Sequence, residues 1–381
     1  MNFALSENEE MLKALAERFV LDRYDLDRRR AYQQAPTGYS DENWALLAEL
    51  GLLAAALPES CGGLDVDGTS LAVLFEALGH GLVVEPVIEN LVMAGRLLAA
   101  TGAQAEAAAP LLGALATGEA RVALADGEAG GRGGRRWIET RAEPVGDGWV
   151  LTGAKACVPA GAGVDAYLVT ARTAGAPHPA APDSDEGIGL WLVPADSAGL
   201  TVRPWRLVDG GVAVSLELAG VAVPAGARLA AGADELAAAL ATAQLARAAE
   251  ALGIMERMLA ETTDYLKTRQ QFGVPLSSFQ ALQHRMVAQY AVKEQVRGLL
   301  NRAIVSWGQP DFGRAAAALN AYVASVVLAF GHEMIQFHGG MGITDELAIG
   351  HAHKRLMLLS RWPLSPQVAM ERYAAQLGEI E

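Results

Sequence analysis

Apolar residues recur at helical spacing in the first third of the chain. Leu15 and Phe19 lie one turn apart on the same face of a predicted helix. Ser6 and Glu9, just before them, have the spacing of a capping box, in which each side chain satisfies a backbone amide that the first turn leaves free. Similar stretches follow, so we predict a helical N-terminal domain over residues 1–118.

The pattern changes in the middle of the chain to short, β-branched or alternating runs. Trp149–Thr152 and Val212–Leu218 are two such runs, and Gly146-Asp-Gly148 directly before the first is a hairpin signal. Many short strands separated by turns predict a small β-barrel or sandwich over residues 119–232. Within it, residues 173–186 are rich in Ala, Pro and Asp, and we predict a mobile surface loop there.

Helical spacing returns in the last third, in longer stretches. Leu252 and Leu259 belong to one extended apolar stripe, and Ser277-Ser-Phe-Gln280 offers a capping box for the next helix. That helix is predicted to end at Gly308-Gln-Pro310. We predict four antiparallel helices, a bundle over residues 233–381. The expected fold class is therefore α+β, with N-terminal helices, a middle β domain and a C-terminal four-helix bundle.

Composition narrows the classes of function. The 381 residues include 30 basic and 44 acidic ones, a net charge of −14, which disfavours binding to the phosphate backbone of nucleic acids. No run of eighteen apolar residues is uninterrupted, so we predict no membrane span. The first residues lack the basic and apolar regions of a secretory signal. With two cysteines only, Cys61 and Cys157, we predict a cytoplasmic protein without a disulfide.

Two common kinds of site are not predicted. The C-terminal histidines are His332, His338, His351 and His353. No two of them have the i,i+4 spacing of a helical zinc pair and no cysteine is near them in sequence, so we predict no metal site. No Gly-x-Gly-x-x-Gly follows a predicted strand and opens a helix, which argues against a Rossmann dinucleotide site.

Two glycine-containing segments lie at breaks between the predicted bundle helices. In Arg269-Gln-Gln-Phe-Gly273, a planar guanidinium can bind two diphosphate oxygens, Phe272 offers an apolar face, and Gly273 lets a ligand approach the backbone. The second segment is Gln336-Phe-His-Gly-Gly-Met-Gly342. Taken alone, each segment also fits an ordinary helix end, because Arg and Gly are common there.

Together, the order and spacing of these segments resemble the signature of the acyl-CoA dehydrogenase family. The similar stretches are 265–276, 279–284 and 336–346, and the succession of helices, strands and helices covers essentially the whole chain. The resemblance implies a dimer of dimers with FAD bound across a subunit interface. It assigns to this chain a set of contacts with the FAD diphosphate and adenosine: Arg269, Phe272, Gln336, Gly339 and Gly340, with Leu276 and Gln280 as weaker candidates.

The segments that the resemblance places against the flavin ring depart from the family pattern. The family's Thr-Glu-Pro-Gly-Ala-Gly-Ser-Asp type loop corresponds to Ala125-Asp-Gly-Glu-Ala-Gly-Gly131, which has no Thr or Ser hydroxyl. Its Lys-x-Trp-x-Thr-Asn-Gly pattern corresponds to Lys155-Ala-Cys-Val-Pro-Ala-Gly161. Cys157 thus replaces the aromatic platform, and Pro159 replaces the hydroxyl donor and lacks a backbone amide. We expect this half of the flavin site to be missing.

The catalytic base of the family is also missing from this chain. Abstraction of an α-proton needs a carboxylate near the substrate and the flavin. The resemblance places the family's common Glu at Pro363 and its alternative acid at Ala243. The family Arg that helps to hold CoA corresponds to Gln244. We therefore predict no catalytic residue here.

The resemblance extends to the small, non-catalytic subunits of heteromeric acyl-CoA dehydrogenases, whose substrates include dicarboxylic and steroid side-chain CoA thioesters. It implies an α2β2 enzyme in which a Glu-bearing partner subunit holds most of the acyl-CoA and an electron-transfer flavoprotein accepts the electrons. Two alternatives stay open. One is a homo-oligomer with an unusual base such as Glu346, although a helix cap is the simpler role for Asp345 and Glu346. The other is a scaffold without flavin.

Overall fold

The computed structural model describes residues 4–102, 107–131, 137–175, 187–230, 233–362 and 364–378. Pro363 and most of the predicted loop at 173–186 lie outside this described part of the chain. The chain divides into two compact units. One contains Met1–Ala31, Asp67–Val83 and Gln244–Glu381, and the other contains Tyr32–Val66 and Val84–Ala243.

The described residues up to Leu115 are mainly helical, as predicted. The helices are α1 Glu7–Arg23, α2 Leu26–Gln34, α3 Asp41–Glu49, α4 Leu52–Ala55, α5 Gly68–His80, a π-helix Ile88–Gly95, α6 Arg96–Gly102 and α7 Ala109–Leu115. The capping box before α1 is confirmed: the Glu9 amide donates to Ser6 Oγ over 3.4 Å, and the Ser6 amide donates to Glu9 Oε2 over 2.6 Å. Local side-chain chemistry therefore sets this helix start.

The predicted β domain is one eight-stranded sheet. Its strands are β1 Val122–Ala125, β2 Arg141–Val145, β3 Gly148–Pro159, β4 Ala166–Arg172, β5 Ile188–Pro194, β6 Leu200–Arg206, β7 Val212–Pro224 and β8 Arg228–Leu229. Their order is β6-β7-β3-β2-β4-β5-β8, and β1 pairs in parallel with β4. The predicted hairpin is confirmed, since Val145 of β2 pairs with Gly148 of β3.

The strands are apolar because they enclose a core. Leu151, Val169, Trp191 and Val214 are fully buried in one cluster that draws on strands from across the sheet. Every residue of β4 is buried, which explains why its sequence does not alternate. The loop after β1 and the last residues of β3 carry the residues whose counterparts face the flavin in the family pattern.

The C-terminal region begins with α8 Ala233–Thr268 and a small hairpin of β9 Gln270–Gln271 and β10 Val274–Pro275. The remaining helices are α9 Gln280–Val305, α10 Phe312–His338, α11 Ala348–Leu359 and α12 Pro366–Gly378. The four predicted helices are present, and α12 adds to them. It starts at Pro366, whose fixed φ suits the first turn of a helix. The boundaries of the three domains stay predictions.

One helical segment of the described chain, Phe312–Ile343, is long and apolar enough to cross a membrane by length and composition alone. Half of its most apolar window is buried inside the protein, and a core helix meets the same two criteria.

Two predicted helix caps are wrong. Leu276–Ser278 form a short 3₁₀ turn, so Phe279, not Ser277, precedes α9 at the cap position and no side chain caps it, while the Gln283 side-chain amide donates to the Ser277 carbonyl over 2.7 Å. α11 starts after Leu347, and the Asp345 carboxylate instead accepts a hydrogen bond from Lys354 over 3.0 Å.

Candidate functional site

The predicted FAD-contacting segment Arg269–Gly273 folds into a tight hairpin after α8. Gln271 pairs with Val274, so Phe272 and Gly273 form a two-residue loop. Both have positive φ, 55° and 82°, which is the geometry of a type I′ turn. Asn or Gly usually occupies the first of these positions, because a side chain with a Cβ is strained there. A strained aromatic residue at a hairpin tip is a sign of function.

The tip also exposes the Phe272 ring. The residue is 92% exposed, and its ring meets the edge of Phe279, with centroids 6.1 Å apart and planes at 86°. A large apolar ring gains nothing from facing water, so neither stability nor solubility accounts for this side chain. The hairpin therefore presents Phe272 for contact with another molecule.

Arg269 is available as a ligand for an anion. Its backbone amide closes the last turn of α8 by donating to Tyr265 over 2.8 Å. Its guanidinium is exposed, and it makes no hydrogen bond or ion pair with the residues that the structure describes. The hydroxyl of Thr268 already donates to the carbonyls of Asp264 and Tyr265 at this helix end. A role for the Arg269 side chain in capping α8 is therefore unnecessary.

The second predicted segment lies where α10 ends. Its last helical residue, His338, is buried and stacks on Tyr265 with ring centroids 4.5 Å apart and planes at 26°. Tyr265 belongs to the last turn of α8, so this stack joins the end of α8 to the end of α10. Two motifs that are far apart in sequence are thereby held at neighbouring helix ends.

The glycines of the two segments differ in what their own fold requires. A Cβ on Gly342 would lie 2.6 Å from the Ile335 carbonyl oxygen, so packing within the chain demands a glycine there. A Cβ on Gly273, Gly339 or Gly340 would meet nothing within 4 Å. Positive φ explains Gly273 and Gly339, but Gly340 is explained by neither packing nor backbone conformation. Open space above its backbone fits a bound ligand.

The remaining predicted contacts lie close to these segments in sequence and within the same compact unit. Leu276 is half-buried in the turn that precedes α9, and Gln280 is the exposed first residue of α9. Gln336 is exposed on the last turn of α10. The structure thus groups Arg269, Phe272, Leu276 and Gln280 around the hairpin, and Gln336, Gly339 and Gly340 around the end of α10.

The β-domain loop at 125–131 contains a buried ion pair that the sequence did not reveal. Lys155 is fully buried and donates to Glu128 Oε1 over 2.6 Å and to the Thr170 hydroxyl over 3.1 Å. Glu128 also accepts from the Thr140 hydroxyl over 2.6 Å and from the Glu139 amide over 2.5 Å. We call Glu128, Thr140, Lys155 and Thr170 the buried ion-pair cluster.

The cluster holds both charges in a dry environment. Burial acts to raise the pKa of Glu128, but the Lys155 charge and the hydrogen bonds bring it below its ordinary value. Burial lowers the pKa of Lys155, against the opposing effect of Glu128. Each charge depends on the other for compensation. Both groups are therefore committed to structure and neither is free to serve as a base.

Backbone pairing joins the 125–131 loop to the end of β3 at the positions expected to lack flavin contacts. Gly127 bridges Cys157 across the strands, and the Ala156 amide donates to the Gly127 carbonyl over 2.9 Å. Burial, together with the charge of Asp126, raises the pKa of the Cys157 thiol to about 11, so it is a neutral thiol at physiological pH. Both Cys157 and Cys61 are free. This end of β3 offers no aromatic platform at Cys157 and no hydroxyl at Pro159.

At the predicted base positions, the described residues offer no available acid. Ala243 is buried on α8, and Pro363 lies outside the described part. Next to it in sequence, Trp362 is covered by Arg247, whose guanidinium carbon lies 3.0 Å from the ring centroid and which donates to the Trp362 carbonyl over 2.6 Å. The Arg247 cation therefore covers the residue that precedes position 363 in sequence.

Two other carboxylates, Glu250 and Glu346, could in principle replace the catalytic base of the family. Glu250 on α8 was missed by the sequence analysis; it is 7% exposed, but Arg355 donates to both its oxygens, over 2.5 and 3.0 Å. Glu346 is exposed to solvent. Among the described residues, no group of three or more His, Cys, Asp or Glu side chains could hold a metal ion.

Two family models match the chain. The acyl-CoA dehydrogenase N-terminal domain matches residues 6–119, and the acyl-CoA dehydrogenase C-terminal domain matches residues 231–376. Acyl-CoA dehydrogenase FadE27 of Mycobacterium tuberculosis is 28% identical over 358 residues, covering 91% of this chain and 90% of that protein. The human mitochondrial short-chain specific acyl-CoA dehydrogenase is 28% identical over 308 residues, covering 78% of this chain and 73% of that protein.

Solved structures agree with these sequence relatives. A variant of the Tcur3481–Tcur3483 steroid acyl-CoA dehydrogenase is 30% identical, with a TM-score of 0.86 and coverage of 98% of both chains. The ChsE4–ChsE5 complex from Mycobacterium tuberculosis is 26% identical, with a TM-score of 0.86 and coverage of 100% of this chain and 99% of that chain. The chain therefore belongs to the acyl-CoA dehydrogenase family of FAD-dependent oxidoreductases.

Proposed function

We propose that this chain is the non-catalytic subunit of a heteromeric acyl-CoA dehydrogenase. It supplies the part of the FAD site that binds the diphosphate and adenosine, and a Glu-bearing partner subunit supplies the base, the contacts with the flavin ring and most of the acyl-CoA pocket. The observation that carries the proposal is the combination of two exposed residues with the lack of an acid at position 243: the Arg269 guanidinium has no hydrogen-bond or ion-pair partner among the described residues, Phe272 presents its ring to solvent, and position 243 is a buried alanine.

The residues present fit FAD. Arg269 would bind diphosphate oxygens through two parallel N–H bonds, and Phe272 would cover the adenosine with an apolar face. Gly339 and Gly340 would let the ligand approach the backbone, and Gln336, Leu276 and Gln280 would complete the contacts. When bound, FAD supplies the hydride acceptor for α,β-desaturation of the thioester.

The β domain of this chain provides a second argument for the proposal. In a complete site the corresponding loop and strand would have to present hydroxyl and aromatic groups to the flavin ring. Here Glu128 turns into the interior to pair with Lys155, and Cys157 is bridged by Gly127. A flavin ring therefore depends on the partner subunit for these contacts. Two flavins per α2β2 tetramer follow, since only one of the two kinds of interface is complete.

Relatives with known assemblies point in the same direction. ChsE4–ChsE5 and Tcur3481–Tcur3483 are each complexes of two different chains, and the second is a steroid acyl-CoA dehydrogenase. We propose that the substrate is an acyl-CoA thioester of this general class, with a steroid side chain or a dicarboxylic acid as the acyl group. An electron-transfer flavoprotein is the proposed electron acceptor.

The proposal is tested by flavin content. We expect the chain purified alone to hold little or no FAD, and the complex co-purified with its partner to hold two FAD per tetramer, measured by absorbance after denaturation against mass from light scattering. Arg269→Ala should lower the FAD content of the complex. Arg314→Ala is the matched control, because Arg314 is another exposed arginine of the bundle region, on α10. A homo-oligomer with one FAD per chain that oxidises an acyl-CoA would contradict the proposal.

A further inference from the structure

Residues 339–345, which we call the glycine-rich turn, follow α10 and pack against the start of α11. An ideal Cβ on Gly350 would lie 3.3 Å from the Gly342 carbonyl oxygen and 3.4 Å from that of Thr344, so α11 approaches the turn closely at this point. Lys354 of α11 donates to the carboxylate of Asp345 over 3.0 Å. The segment that would hold FAD is therefore positioned by contacts from α11.

His351 of α11 is buried and also contacts the end of the glycine-rich turn. Its Nε2 lies 3.3 Å from the Asp345 carbonyl oxygen, and its Nδ1 lies 3.1 Å from Nη1 of Arg29 on α2. Arg29 and His351 are 3% and 7% exposed, and Arg29 is fixed by a second bond from its Nε to the Leu82 carbonyl over 3.0 Å. An interior contact thus links α2 to the end of the glycine-rich turn.

The chemistry of the two partners defines the state of the imidazole. A guanidinium only donates hydrogen bonds, so Nδ1 must accept with a lone pair. Nε2 then carries the proton and donates it to the Asp345 carbonyl. Both bonds exist together only in the neutral Nε2–H tautomer. A second proton, on Nδ1, would turn the acceptor facing Arg29 into a donor and set two positive charges against each other.

We propose that His351 is a positioning residue for the FAD site, which holds the glycine-rich turn in place while neutral and releases it when protonated. This inference rests on the proposed function, because it assigns to that turn a part of the FAD contact. FAD retention should then weaken in acid through a group that does not itself touch FAD.

The charges around His351 set the direction of the effect. Burial lowers the pKa of His351 below its ordinary value, and Arg29 and Lys354 lower it further, while the carbonyl and carboxylate of Asp345 act in the opposite direction. Arg30 on α2 also acts on Asp345. Since the folded pKa is depressed, the link is intact above the ordinary histidine pKa of about 6.5 and is lost as pH falls through the lower, folded value.

The test measures the FAD dissociation constant of the heteromeric complex between about pH 8 and about pH 4.5, a range that extends well below the ordinary histidine pKa because the folded pKa is depressed. We expect the wild-type FAD dissociation constant to rise about five- to tenfold in acid, because this is the effect of losing one hydrogen bond at a positioning contact. His351→Gln keeps an uncharged amide that can donate in place of Nε2, and its constant should not change over this range. His80→Gln is the control, because His80 is an exposed residue of α5 whose loss should leave the wild-type pH profile unaltered.

A second readout does not depend on FAD. In the chain alone, backbone hydrogen exchange over residues 339–345, corrected for intrinsic pH dependence, should accelerate in acid for wild type and not for His351→Gln. A wild-type FAD constant that is independent of pH, or a His351→Gln variant that weakens in acid as wild type does, overturns this inference alone. A complex that binds no FAD at any pH overturns the proposed function and this inference with it.

Discussion

Replacing Phe272 with Asn should stabilise the isolated chain while weakening its contact with FAD. Phe272 occupies the first loop position of a type I′ turn with φ of 55°, where Asn is favoured because its short polar side chain tolerates this conformation. A left-handed backbone costs an ordinary residue roughly 1–2 kcal/mol, and Asn relieves a large part of that strain. Phe272 therefore carries a conformational cost that its contacts with the described residues do not explain.

The Asn substitution also removes the contact of the Phe272 ring with Phe279. The size of this loss decides whether the free energy of unfolding rises or falls. Phe272 is 92% exposed and touches the edge of Phe279, so the ring contributes about 0.5 kcal/mol, the low end for aromatic pairs. We expect Phe272→Asn to raise the free energy of unfolding by about 1 kcal/mol. Phe272→Ala removes the ring but keeps a Cβ at positive φ, and should be neutral or slightly destabilising. Gly273→Ala introduces strain at φ of 82° and should destabilise by about 1 kcal/mol.

Chemical denaturation of the isolated chain measures these differences in the free energy of unfolding. FAD titration of the complex measures the effect of each variant on FAD affinity. Both Phe272 variants should bind FAD more weakly than wild type, since neither has the ring. If Phe272→Asn is no more stable than Phe272→Ala, the hairpin is not strained and the structural argument for function at Phe272 is lost. If both variants bind FAD normally, the ring contacts something else.

Further predictions concern the phosphate contact, the missing base and the buried ion-pair cluster. Arg269→Ala should weaken FAD binding to the complex about ten- to a hundredfold, the value of a charge-assisted bidentate bond, whereas Arg314→Ala should leave the titration unchanged. Pro363→Glu should not create a second active site, since the flavin-ring groups missing at Cys157 and Pro159 and the CoA-holding Arg missing at Gln244 would still be absent; acyl-CoA-dependent reduction of more than two flavins per tetramer would refute this. Lys155→Met should destabilise the chain by about 3–5 kcal/mol by leaving Glu128 unpaired, and adding Glu128→Gln should recover part of that loss in denaturant melts; no recovery would mean that the charges are not coupled.

Much of the fold follows from local patterns. Helical spacing and the Ser6 capping box define α1, and Gly146-Asp-Gly148 defines the β2–β3 hairpin, because both depend on residues adjacent in sequence. The cap predicted at Asp345 is wrong for the opposite reason. Its carboxylate is taken by Lys354, nine residues further along, on a helix whose start the sequence does not mark. The tertiary contact with Lys354 therefore overrides the local preference of Asp345 for capping a helix.

The candidate site was predicted less completely. Arg269 and Gln336 stand out in sequence as members of motifs, but the strain at Phe272 and the Tyr265–His338 stack appear only when the chain is folded. The pairs formed by Glu128 with Lys155 and by Glu250 with Arg355 join residues 27 and 105 positions apart. Such pairs leave no periodic signal, so carboxylates that look available in the sequence are neutralised in the structure.

The most direct test of the split site changes the catalytic Glu of the partner subunit to Gln in the co-purified complex. Flavin reduction is followed by stopped-flow absorbance after anaerobic mixing with an acyl-CoA. We expect FAD to stay bound through Arg269 and its neighbours while reduction slows about a hundred- to ten-thousandfold, the usual contribution of a general base. Reduction at close to the normal rate would contradict this expectation and place the base in this chain, with Glu346 the first candidate.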